Sequence, residues 1–99
     1  MKNKKQVENY RTACKTILEY YGPNAQLSQL IQELGELIVA ITKQKEENFL
    51  EEIADVLVML DQFRLSNPEY EKKIEIIKLE KVKRQLNRIL KECKEGQNE

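Results

Sequence analysis

The chain has 99 residues, of which 40% are hydrophobic and 34% charged, a length and composition that suit one modest domain. Its 17 basic and 17 acidic side chains cancel, so the charge excess typical of nucleic-acid-binding domains is missing, and no apolar run approaches the ~20 residues of a membrane span. Histidine is absent, which removes the commonest general base and transition-metal ligand.

Few residues favour turns, since the sequence has only 3 glycines and 2 prolines, and this predicts a single all-α domain over residues 1–99. The first residues lack the apolar core of a signal peptide. The two cysteines, Cys14 and Cys93, lie far apart and match no metal-ligand spacing. We therefore expect reduced thiols in a cytoplasmic protein with neither nucleic-acid nor membrane partners.

Hydrophobic positions recur at helical spacing in four segments. Gly22 and Pro23 are expected to end the first helix, and Asn24 offers a cap for the second. The link before the third helix is short and polar, with Asn48 as its candidate cap, so the second and third helices should be antiparallel. The predicted helices span about residues 4–20, 25–44, 49–65 and 69–93.

The third predicted helix is the most apolar part of the chain, because residues 56–60 cover every face of it. Four short helices cannot cover so much apolar surface, so we expect a homodimer or homotetramer. Glu52 lies within this apolar stripe, where an unpaired carboxylate would be costly.

Two acidic pairs with i,i+3 spacing border apolar stripes on the second and third helices. Glu33 and Glu36 form the first pair, and Glu52 and Asp55 form the second. The pairs lie at similar distances from the connecting turn, so an antiparallel hairpin would bring all four carboxylates together. Such carboxylates repel one another, and a hard dication such as Mg²⁺ or Mn²⁺ would compensate for the repulsion. Spacing alone is weak evidence, since Glu92 and a later glutamate repeat it by chance on a polar stretch.

These acidic pairs, as Glu33-Leu-Gly-Glu36 and Glu52-Ile-Ala-Asp55, resemble the signature of the MazG-type all-α nucleoside triphosphate pyrophosphohydrolases. The resemblance covers about residues 18–90. It includes the sequence at residues 20–26 before the first pair, the apolar run after the second pair, and a basic segment at residues 78–84 in the fourth helix.

The resemblance implies a four-helix MazG-like bundle completed by oligomerisation, and a Mg²⁺-dependent enzyme that serves nucleotide-pool housecleaning. It would hydrolyse a nucleoside triphosphate, NTP or dNTP, to the monophosphate and pyrophosphate. The four acidic residues would hold the metal, with Glu36 and Glu52 as catalytic carboxylates and Glu36 as the candidate acceptor of the water's proton. The implied phosphate contacts are Lys81 and Arg84, with Lys78 a weaker candidate, and the weak nucleoside-binding candidates are Gln26, Gln29 and Tyr21.

Two alternatives stay open at this point. A phosphoribosyl-ATP pyrophosphohydrolase shares the acidic pattern, but that family usually shows a denser acidic segment before its first pair and an aromatic-His element after its second. This chain has Ile31-Gln32 and an aliphatic run at 56–58 in those places. The other alternative is a non-catalytic helical interaction module, which the intact acidic quartet argues against.

Overall fold

The computed structural model describes residues 4–97 of the chain and the side chains of residues 9–96. It contains four helices, and the described residues include no strand, so the predicted all-α class and element order are confirmed. The helix ends differ from the predicted ones by a few residues. The helices are α1 (Lys4–Tyr21), α2 (Pro23–Lys43), α3 (Glu46–Ser66) and α4 (Pro68–Gln97).

The break between α1 and α2 occurs at Gly22, as predicted. Gly22 has a φ of 89°, a conformation that glycine adopts at little cost, and its amide donates to the carbonyl of Leu18 at 2.8 Å. Pro23 then occupies the first turn of α2, where its missing N–H leaves no bond unmade. The predicted Asn24 cap is wrong, because the helix begins before it and Gly22 is the N-cap residue.

The turn between α2 and α3 is tighter than the sequence suggests. Gln44 adopts the left-handed conformation with a φ of 56°, and its amide donates to the carbonyl of Ala40 at 3.2 Å. Lys45 is already the N-cap residue of α3, so the predicted cap at Asn48 is also wrong. Asn48 lies inside the first turn of the helix instead.

The chain divides into two compact units, Met1–Pro68 and Glu69–Glu99. In the first unit, α3 packs against both α1 and α2. Gln26 contacts Gln62 towards one end of the α2–α3 pair and Glu36 approaches Glu52 towards the other, so these helices form the antiparallel hairpin that was predicted. The buried apolar side chains of this unit are Cys14, Leu18, Ala40, Val56, Met59 and Leu65.

α4 is a helix of 30 residues with apolar side chains at helical spacing, and from Glu69 onward it belongs to the second unit. Within the described part of the chain, no helix combines the length and apolar content that crossing a bilayer requires.

Candidate metal centre

Three of the four predicted carboxylates meet on the α2–α3 hairpin. Glu33, Glu36 and Glu52 each offer an oxygen, and these oxygens all lie within 4.8 Å of one another. The i,i+3 spacing places the first two on one face of α2, and the antiparallel register brings Glu52 of α3 opposite them. Asp55 is exposed and lies outside this trio. We refer to Glu33, Glu36 and Glu52 as the acidic cluster.

The cluster contains carboxylate oxygens that lack protein partners. The Oε2 atoms of Glu33 and Glu52 are both buried and accept no hydrogen bond in the described structure, whereas Glu36 is exposed. Burying a carboxylate oxygen without a partner is unfavourable. Hard dications bind through carboxylate oxygens, so the donor set and its two unpartnered atoms fit Mg²⁺ or Mn²⁺.

The electrostatics of the cluster act on the carboxyl of Glu52. Burial raises the pKa of its carboxyl above the ordinary value, and the negative charges of Glu36, Glu33 and Asp55 raise it further. Asp55 therefore influences the cluster although it does not join it. Any cation bound at the cluster would relieve this repulsion.

Two glutamine amides orient the carboxylates of α2. The Nε2 of Gln29 donates to Glu33 Oε1 at 2.9 Å, and the Nε2 of Gln32 donates to Glu36 Oε1 at 3.4 Å. Such bonds around metal-binding carboxylates fix their orientation. From the sequence, Gln29 was predicted to contact the nucleoside, and the position of Gln32 beside Glu36 was not predicted. The signal was available, because a glutamine four residues before a glutamate lies beside it on a helix.

The other two predicted nucleoside contacts lie in different surroundings. Gln26 is buried at 7% exposure, and its Nε2 donates to Gln62 Oε1 at 2.6 Å. Tyr21 is 61% exposed, and its ring meets that of Tyr20 edge-to-face with centroids 4.9 Å apart. Gln26 thus serves as a packing residue between α2 and α3.

A groove of about 370 Å³ opens beside the acidic cluster, towards the turn of the α2–α3 hairpin. We call it the hairpin groove. Glu36 and Glu52 belong both to its wall and to the cluster, whereas Gln26, Gln29 and Tyr21 are not among its lining residues. Sequence analysis missed this groove, although a glycine inside a helix, Gly35, was a signal for it. Its lining residues are Gln32, Gly35, Glu36, Val39, Ala40, Lys43, Asn48 and Glu52.

The predicted phosphate contacts lie on α4, in the second unit. Lys78 forms an exposed ion pair with Glu75 at 3.1 Å. Lys81 and Arg84 are exposed. Their contact with phosphate stays a prediction.

The sequence matches the family model of the MazG nucleotide pyrophosphohydrolase domain over residues 22–87 of the 99. The matched segment contains the whole α2–α3 hairpin, with the acidic cluster, Asp55 and the hairpin groove. No curated protein and no solved structure matches the chain.

Proposed function

The chain belongs to the MazG nucleotide pyrophosphohydrolase family, and we propose that it is a Mg²⁺-dependent enzyme that hydrolyses a nucleoside triphosphate to the monophosphate and pyrophosphate. The observation that carries the proposal is the acidic cluster, whose oxygens lie within 4.8 Å of one another inside the matched segment. Housecleaning of the cytoplasmic nucleotide pool is the role that we propose for this reaction.

Glu33, Glu36 and Glu52 would hold the metal, with Asp55 nearby to add a fourth carboxylate. When bound there, Mg²⁺ or Mn²⁺ supplies positive charge that neutralises the triphosphate and acidifies the attacking water. The bond from Gln29 holds the carboxylate of Glu33 in place before any ligand arrives, and a longer, exposed bond runs from Gln32 to the carboxylate of Glu36. The unpartnered Oε2 atoms of Glu33 and Glu52 support this assignment, because a cation would supply the partner that the protein does not.

Glu36 is our candidate for the general base. It is exposed and lines the hairpin groove, so a water in the groove can pass a proton to its carboxylate. The water oxygen then bonds to the α-phosphorus, and the bond from that phosphorus to the oxygen bridging to the β-phosphate breaks, releasing pyrophosphate. Glu52, whose carboxyl has a raised pKa, is the second catalytic candidate.

For the phosphate chain of the substrate we propose Lys81 and Arg84 of α4 as the contacts. An arginine can grip a phosphate through two parallel hydrogen bonds, and a lysine adds a point charge. Both residues fall inside the family match, which ends at residue 87. Lys78 is a weaker candidate, since its ammonium group forms an ion pair with Glu75.

We also propose that the protein is a homodimer or homotetramer. Large apolar side chains of the hairpin are exposed within a single chain, including Ile31 at 70%, Ile38 at 63% and Leu57 at 53%. So many exposed large apolar side chains on one hairpin favour a face that meets a partner chain. A monomeric mass in solution at micromolar concentration would contradict the proposal.

The decisive experiment is a panel of standard and modified nucleoside triphosphates with separate detection of pyrophosphate and orthophosphate. We expect Mg²⁺-dependent release of pyrophosphate from at least one substrate. Glu52→Gln should abolish this release, whereas Glu51→Gln, which alters the exposed neighbouring carboxylate, should retain it. Well-folded protein that releases no pyrophosphate from any substrate would refute the proposal and favour the interaction module. Adding phosphoribosyl-ATP to the panel tests the related activity.

A further inference from the structure

We propose that the hairpin groove is the nucleoside subsite of this enzyme and that it takes a base with a carbonyl oxygen on its edge. The inference rests on the proposed function, because it assigns the groove to the same substrate. It replaces the candidates Gln26, Gln29 and Tyr21, of which the first two are engaged by Gln62 and Glu33.

Continuity with the acidic cluster is the first argument. Glu36 and Glu52 line both sites, so a substrate held by the cluster at its α-phosphate has the groove beside it. The α-phosphate is the one that carries the nucleoside. Lys43, seven residues after Glu36, also lines the groove, about 10 Å further along the axis of α2. That distance is of the order of a nucleoside's length, and about 370 Å³ falls within the range of small-molecule pockets.

The glycine in the groove is the second argument. Gly35 lies inside α2, where glycine lowers helix stability relative to alanine. Close packing does not explain it, because a Cβ built at this position would meet nothing within 4 Å. The missing side chain instead leaves open space in the groove, next to Glu36. Together with Val39 and Ala40 it provides a small, apolar surface on which the flat face of a base can lie.

The polar groups around this surface are the third argument. Lys43, Gln32 and Asn48 line the groove, and Lys43 is the cation among its lining residues. An ammonium donates hydrogen bonds and accepts none, whereas a glutamine or asparagine amide does both. Lys43 therefore suits the exocyclic carbonyl oxygen that uracil, thymine, cytosine, guanine and hypoxanthine carry, whereas adenine offers only ring nitrogens as acceptors.

The test compares Gly35→Leu with Gly96→Leu. Gly96 is also a helical glycine whose added Cβ meets nothing within 4 Å, but it lies on α4, far along the chain from the groove residues. Calorimetry in Mg²⁺ would measure the binding of an α,β-methylene dUTP analogue and of inorganic tripolyphosphate, which has no nucleoside. We expect Gly35→Leu to weaken binding of the analogue about tenfold or more while leaving tripolyphosphate binding unchanged. Gly96→Leu should alter neither.

A thermal melt separates this effect from misfolding, because leucine is the better helix former and Gly35→Leu should melt no lower than the wild type. In a second arm, Lys43→Met should reduce the preference for the dUTP analogue over its dATP counterpart, again with tripolyphosphate binding unchanged.

Four results would overturn the inference. Unchanged analogue binding by Gly35→Leu would show that the nucleoside lies elsewhere. An equal loss of tripolyphosphate binding would assign the groove to phosphates. A change in oligomeric mass without a change in nucleotide binding would assign it to a second copy of the chain. Lys43→Met with an unaltered base preference would remove the proposed base contact. Failure of the proposed function looks different, since the wild type would then bind neither analogue nor tripolyphosphate and release no pyrophosphate.

Discussion

Replacing Gln62 by leucine should destabilise the protein by about 1–3 kcal/mol, the usual cost of leaving a buried polar group without its hydrogen-bond partner. Gln62 is 2% exposed, and its Oε1 accepts the bond from Gln26 Nε2 at 2.6 Å. Leucine is close to glutamine in volume, so the loss arises from the stranded amide of Gln26 and not from a cavity. In a domain of this size each kcal/mol lowers the melting temperature by about 4–8 °C.

A double-mutant cycle tests the cause of that loss. Gln26→Leu should be destabilising for the same reason, but the double variant should recover most of the loss because both polar groups leave together. The expected coupling is about 1–3 kcal/mol, within the range for residues in contact. Thermal and urea melts with EDTA at one fixed protein concentration would measure it, and Gln85→Leu on the exposed surface of α4 is the control. Additive losses in the double variant would refute the reasoning.

The same pair also bears on the acidic cluster. Gln26 lies seven residues before Glu33, and Gln62 lies seven after Asp55, so the amide bond is about two helical turns from the acidic pairs on each helix. A buried polar contact can fix the register of packed helices at some cost in stability. We therefore expect the double variant to bind Mn²⁺ more weakly than the wild type despite similar stability. Unchanged Mn²⁺ affinity would show that apolar packing alone sets the register.

Three further predictions concern charge, metal and the contact between α1 and α3. Glu52→Gln should not lower the melting temperature in EDTA, because it removes a carboxylate with a buried, unpartnered Oε2. The pKa of Glu52 is raised in the folded state, so its carboxyl stabilises the fold while it is protonated and loses that contribution as the pH rises through the raised pKa. The melting temperature of the wild type minus that of Glu52→Gln should therefore fall with increasing pH. A difference that does not change with pH would contradict this. Mg²⁺ at 100 times its Kd should raise the free energy of unfolding of the wild type by about 2.7 kcal/mol and that of Glu52→Gln far less. Melts with Mg²⁺ and with a K⁺ control would measure both. An equal increase in stability for the two proteins would mean that the metal binds elsewhere. Tyr10→Phe removes the hydroxyl that donates to Asp61 at 2.7 Å and should cost about 1 kcal/mol in urea melts, whereas Tyr20→Phe, at 80% exposure, should cost nothing measurable.

The helices were predictable because local signals agreed with the packing. Apolar spacing located all four, and Gly22 with Pro23 located the first break. The caps were not predictable from residue type, because backbone geometry decided them. Pro23 starts α2 two residues earlier than an Asn24 cap would allow, and the left-handed Gln44 closes the next turn so tightly that Asn48 falls inside α3.

Only those features of the site that depend on residue spacing within one helix could be predicted from the sequence. The residues of each acidic pair have a fixed relation along their helix, so the meeting of Glu33, Glu36 and Glu52 needed only the assumption of an antiparallel hairpin, whereas Asp55 was wrongly expected to join them. The hydrogen bond between Gln26 and Gln62 and the shape of the hairpin groove depend on the register between α2 and α3. Register results from packing of buried residues such as Met59 and Gln62, and no short sequence pattern encodes that packing.

Anchoring of the α2–α3 hairpin is uneven along its length. The half of α3 that follows Val56 is held by buried Met59, Gln62 and Leu65, and α1 bonds to it through Tyr10 and Asp61. The half that faces the turn carries the acidic cluster, and among its described apolar side chains the small Ala40 is buried whereas Leu50 is 56% exposed.

Repulsion among the carboxylates therefore acts on the half of the hairpin with the least apolar support, and a bound dication should stabilise that half selectively. Hydrogen exchange measured with Mg²⁺ and with EDTA tests this, because local opening depends on local stability. We expect Mg²⁺ to slow amide exchange over residues 36–56 by a larger factor than over residues 59–66, and Glu52→Gln to remove the difference. Equal slowing of both halves would mean that the metal stabilises the fold as a whole and that the uneven anchoring has no consequence.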